Sequence, residues 1–137
     1  MEIVSVLYIC MTLPLLIGTT KKFKMYAGGL VIGSALIFLV GEIIIKVQTD
    51  FYTLGKMEWI NQGHAETMGK WVVPFFLIGV AIILILVNIR LIREFLKRTG
   101  RIRWAFAAAV VAVDAISLFL VPFMLFVVAL MFFPFAP

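Results

Sequence analysis

Tyr26–Ile45 reads YAGGLVIGSALIFLVGEIII, twenty residues that carry one charge, Glu42. Coiled as an α-helix at about 1.5 Å per residue, the stretch is about 30 Å long, the thickness of a bilayer's hydrocarbon layer. Three further apolar runs flank it. Ile3–Thr19 precedes it; Trp71–Ile92 and the long run Ala105–Phe133 follow. Hydrophobic side chains make up 64% of the 137 residues and charged ones only 14%. A soluble domain is nearer half apolar and a quarter charged. A chain this short has no core that could hide the surplus, so lipid must be its solvent.

The expected fold is therefore an all-α integral membrane protein. Four transmembrane helices form an antiparallel bundle in one domain over 1–137, with spans near 3–19, 26–45, 71–92 and 105–128. A loop at 47–70 and a basic loop at 93–104 connect them. Run one is short for a span. It lacks the Lys or Arg that opens a signal peptide and is followed by Lys21, Lys22 and Lys24 instead. A retained helix with its N-terminus outside is expected. Pro14 is a candidate kink, because proline donates no helix hydrogen bond. Pro74 stands in the first turn of run three, where a missing N–H matters little. Run four exceeds the bilayer as a straight helix, so it must tilt, kink near Pro122 or emerge. The aromatic tail Phe132–Phe135 is expected at the interface, and Gly100 is expected to end a helical extension of run three.

Charge supplies the orientation. Lys21, Lys22, Lys24, Arg90, Arg93, Lys97, Arg98, Arg101 and Arg103, nine of the twelve basic residues, fall in the first and third connections. The second connection balances Lys46, Lys56 and Lys70 against Asp50, Glu58 and Glu66. Cytoplasmic loops are the basic ones, so both termini are expected to be extracytoplasmic in an inner (cell) membrane, with multi-pass topology. Trp71 and Trp104 stand where interface anchors belong. The net charge of +5 follows from this orientation and gives no reason to invoke nucleic acid.

Helix contacts have a signature of their own. Gly29 and Gly33 form a GxxxG, and Gly41 continues the same stripe, leaving a groove for a neighbouring helix. Ala108 and Ala112, with Ala105, Ala109 and Ala115, give run four a small-residue surface. A pairing of runs two and four, within or between chains, is the expectation.

Polar groups inside the runs are the candidate sites. Asp114 lies near the bilayer midplane, where a carboxylate costs several kcal/mol unless paired, neutralised or wetted. Ser117, at i+3, could hydrogen-bond it. Asp114 reads as a proton- or cation-responsive site, a fixed point of helix packing, or a contact for a partner. Glu42 precedes Lys46 by four residues, the favourable order for an ion pair. Pairing with snorkelling explains it without a function. Asn88 could bond across helices. In the loop, Phe51, Tyr52, Leu54, Met57, Trp59 and Ile60 suggest an amphipathic element on the membrane surface. Tyr52, Trp59, His64 and Glu66 are candidates for recognition of a partner's outer domain. One histidine with scattered acids makes no metal site. Arg98, Arg101 and Arg103 suit anionic lipid head groups. The lone Cys10 is a small lipid- or helix-facing residue. No Ser-x-x-Lys, HExxH or phosphate loop occurs, and a single His excludes bis-histidine haem within one chain; no cofactor is expected.

The stretch LIREFLKRTGRIRWAFAAAVVAVDAISLFLVPFMLFV, residues 91–127, is similar to the C-terminal membrane region of bacterial serine hydrolases of the penicillin-binding-protein type. There a basic inner loop precedes a helix with a mid-membrane Asp and a later proline. The matching residues are Arg98, Arg101, Arg103, Asp114 and Pro122, over about a quarter of the chain. The catalytic domain and its Ser-x-x-Lys motif are missing, so no hydrolase activity carries over. The resemblance implies a membrane domain that meets an extracytoplasmic partner.

Three functions compete at this stage. The favoured one is a noncatalytic accessory or anchoring subunit of a prokaryotic membrane complex. Its partners would be the lipid bilayer, anionic head groups, and a membrane protein or further copies of itself. The second is a small homo-oligomeric channel or transporter using Asp114. The third is a lipid-directed membrane enzyme using Asp114 or His64.

Overall fold

A computed structural model describes residues 2–132, with side chains over 4–130. It is all-helical. Helix α1 covers Glu2–Thr12 and a 3-10 turn follows at Leu13–Leu16. Helix α2 is Lys21–Gln48, α3 is the short Lys56–Asn61, α4 is His64–Lys97 and α5 is Arg101–Phe132. Three of these, α2, α4 and α5, are long and apolar enough to cross a membrane, as a multi-pass protein requires. The expected tail contact at Phe133–Phe135 lies outside the described residues.

The first run does not make one continuous α-helix. Pro14 has no N–H to give the carbonyl four residues back, so the α-helix stops at Thr12 and the chain tightens. Thr12 reinforces the stop: its hydroxyl is spent on the carbonyls of Tyr8 (2.8 Å) and Ile9 (3.1 Å). Gly18, at φ +81°, then turns the chain toward α2 in the left-handed region that favours glycine.

The long helices overrun their apolar stretches. Their 28, 34 and 32 residues correspond to about 42, 51 and 48 Å. Charged flanks such as Lys21–Lys24 and Arg90–Lys97 are good helix formers and carry the coil past the hydrocarbon. One consequence corrects the reading of Pro74. Helix α4 starts at His64, so Pro74 lies well inside it rather than in its first turn. Helix α5 likewise runs on through Pro122. Helix α4 ends at Lys97, and Gly100, at φ +72°, makes the turn into α5.

Packing contacts fix the directions. Leu16 meets Gly28 and Tyr8 meets Ser34, so α1 and α2 run antiparallel. Phe38 meets Phe75, and the Arg93 guanidinium lies over Phe23, so α2 and α4 do too. Phe95 with Trp104 and Asn88 with Asp114 give the same relation for α4 and α5. Helix α4 is the hub, touching α1, α2, α3 and α5. Helices α2 and α5 do not touch among the described residues; α4 separates them. The expected pairing of their small-residue faces is therefore absent within the chain.

Two small clusters hold the bundle. Leu16, Val31 and Leu86 pack at the end where the first and third connections lie, called here the basic end. Trp59, Met68, Val72 and Val128 pack at the other, the loop end. Large apolar side chains point outward elsewhere, with Phe119 85% and Leu118 76% exposed. Patches this extensive need a nonaqueous neighbour.

Candidate functional site

The polar centre of the molecule is the seam between α4 and α5. Asn88 donates from Nδ2 to Asp114 Oδ1 at 2.8 Å. Both residues are half-buried. The two helices form a hairpin about Arg98–Gly100, with Asn88 ten residues before that turn and Asp114 fourteen after it. A carboxylate in hydrocarbon needs a donor, and a neutral amide is what the facing helix supplies. Asn88 Oδ1 is buried and has no hydrogen-bond partner among the described residues. Ser117, half-buried one turn on, makes no hydrogen bond with Asp114 among the described residues. Reading the sequence singled out Asp114 and Asn88 separately and chose Ser117 as the partner.

A second polar unit lies in the loop-end half of α2. Lys46 Nζ is bonded to Glu42 Oε1, and both are buried, Glu42 to 2% exposure. The lysine does not snorkel outward. It is held within the bundle, with its ammonium also 5.4 Å from the Phe51 ring centroid. Glu42 Oε2 and Ser5 Oγ are buried without hydrogen-bond partners among the described residues.

The loop folds back on the bundle. Trp59 is buried, donates its indole N–H to Thr49 Oγ1 at 2.9 Å and meets Phe51 edge-on. It is a packing residue, not a presented surface. Tyr52 and Met57 remain exposed. His64 Nε2 lies 3.0 Å from Gln62 Oε1, while Glu66 is paired with Lys70 at 2.8 Å. The Lys70 hydrogen bond and charge lower the Glu66 carboxyl below its ordinary range. His64 and Glu66 are thus engaged separately, and nothing brings an acid to the imidazole. Among the described residues no three His, Cys, Asp or Glu gather as a metal site would need.

The glycines divide into two sets. A Cβ on Gly41 would collide with the Trp71 ring, so the indole rests directly on the backbone there. Trp71 also donates to the Phe38 carbonyl at 3.2 Å, so it packs between helices instead of acting only as an interface anchor. Gly28 seats Leu16 and Gly79 seats Tyr8. Gly29 and Gly33 have nothing within 4 Å of a would-be Cβ. Ala108 and Ala112 are exposed as well.

At the basic end Arg103 lies 4.2 Å over Phe95, Arg98 Nε is 3.8 Å from Glu94, and Arg101 is exposed. Lys97 donates to Glu94 at 3.0 Å, and this bond and its charge lower the Glu94 carboxyl. Arg90 donates to the Pro14 carbonyl at 3.1 Å, tying α4 to the 3-10 turn.

No family model matches the chain, and neither curated proteins nor solved structures include a match.

Proposed function

We propose that the chain is a noncatalytic accessory or anchoring subunit of a prokaryotic membrane complex. It crosses the inner membrane four times, with its basic end in the cytoplasm and both termini outside. One observation carries this reading. The glycines used within the chain each seat a side chain, whereas nothing lies within 4 Å of a Cβ built on Gly33 of α2, and Ala108 and Ala112 of α5 are exposed. Helix α5 has no buried residue in its most apolar window, and among the described residues its backbone lies against α4 alone of the helices. Small residues left bare on a membrane helix let another backbone approach closely. The occupant is a transmembrane helix of a partner or of another copy.

Cysteines placed at Gly33 and Ala112, in a Cys10→Ser background, test this. Cross-links to another chain in native membranes, lost when Ala108 becomes Leu, are the expected result. A chain that stays monomeric and alone in mild detergent, with no cross-link from either face, removes the proposal. Cysteine labelling of Thr99 only after membranes are opened supports the orientation; labelling in intact cells overturns it.

The Asn88–Asp114 pair favours a second reading, a small homo-oligomeric channel or transporter with this seam turned to a wet interior. It requires ion flux in liposomes that Asp114→Asn abolishes. Absence of flux from the unaltered protein under any imposed gradient eliminates it.

A further inference from the structure

The turn that replaces the end of the first helix leaves a groove at the basic end. Leu13, Leu16 and Ile17 form one wall, and Met25, Gly28, Gly29 and Ile32 of α2 form the other; Lys24 lines it as well. Residues 25, 28, 29 and 32 recur at helical spacing, so they share one stripe of α2. Leu16 and Gly28 are in contact at the floor, 3.6 Å from a would-be Cβ, while Ile17 and Met25 are each 67% exposed. Gly29 keeps the slot open, since nothing stands within 4 Å of where its Cβ would be. The groove is open along its length and not an enclosed cavity.

From this geometry we infer that the groove is a binding site for one anionic phospholipid, an acyl chain lying between the turn and α2 with its phosphate on Lys24. The lining is apolar except for a single cation, and that cation belongs to the basic end. Lys21 and Lys22 begin the same helix, and Arg90 holds the Pro14 carbonyl beside the groove. Amphiphilic chemistry of this kind matches a lipid: hydrocarbon below, negative charge above. A protein helix laid here would cover the Lys24 ammonium, which costs free energy unless an acid comes with it. A phosphate supplies the counter-charge and keeps its own access to water. Gly29 lies one helical turn from Gly33 on the same stripe of α2, so the experiment that tests the lipid site reads chain–chain association as well.

Native mass spectrometry of the purified full chain, loaded from micelles with phosphatidylglycerol or phosphatidylcholine, tests it. One phosphatidylglycerol should be retained in preference to phosphatidylcholine. Lys24→Gln should reduce that preference roughly fivefold, the contribution of one near-surface lysine. Gly29→Leu should reduce retention of both lipids by filling the slot, and Gly29→Ala should do so less. Lys24 and Gly29 are exposed, and unchanged helical circular dichroism identifies folded variants. Equal retention of the two lipids, or an unaltered lipid count in Gly29→Leu, overturns the assignment. So does a chain–chain dimer that Gly29→Leu dissociates, because the groove would then be a helix seam.

Discussion

Asp114 has one donor within the described residues, the amide of Asn88, and that amide keeps a buried oxygen unpartnered. The pair couples α4 to α5 through one side-chain hydrogen bond. Cross-helix hydrogen bonds in membranes are nevertheless worth little, about 0.6 kcal/mol on average, because unfolded chains in lipid also find partners. A cycle of Asn88→Ala, Asp114→Ala and the double variant should give a coupling of about 1 kcal/mol in detergent-mixture unfolding. Strict additivity would show that the two side chains do not act together. The exposed Glu66 makes a different case. Lys70 lowers its folded carboxyl, so this pair's small contribution is present above the ordinary carboxylate range and is lost as pH falls through the lowered value. Lys70→Gln should move the Glu66 titration midpoint upward by NMR; an unmoved midpoint would rule out the lysine as the cause.

Gly41 shows what a single missing side chain does for a helix pair. The Trp71 indole lies where a Cβ would stand and reaches the Phe38 carbonyl beyond it. Gly41→Ala should displace the ring, loosen α2 from α4 and cost about 1–3 kcal/mol, the range for overpacked cores. Gly33→Ala meets no atom and should be neutral or stabilising by up to about 1 kcal/mol, since alanine is the better helix former. Equal effects in unfolding measurements would contradict the contact at Gly41. Hydropathy made α2, α4 and α5 legible beforehand, because water and lipid sort side chains strongly. It left Trp59 misread as a surface residue. An aromatic loop has the same composition whether it lies on a bilayer or folds onto its own bundle. The true start of α4 was equally hidden, since polar residues such as His64 and Lys70 continue a helix without any apolar signal.

Across the whole molecule, nine cationic side chains collect at one end because the helices alternate in direction. That gathering could be read from the order of residues alone. The central place of α4, and the separation of α2 from α5, could not. In lipid a helix face turned to a neighbour and one turned to acyl chains are equally apolar, so residue type does not say which faces meet. Glycine stripes were ambiguous for the same reason: Gly41 is filled from within, while Gly29 and Gly33 are left open. The three indoles inherit this unevenness. Trp59 is 3% exposed, Trp71 is half-buried and Trp104 is 70% exposed. Bromine-bearing acyl chains darken only the fluorophores they touch. In bilayers of such lipids, emission from a protein keeping only Trp104 should be strongly quenched. One keeping only Trp59 should stay bright, and equal dimming of the two would mean that the loop has come away from the bundle.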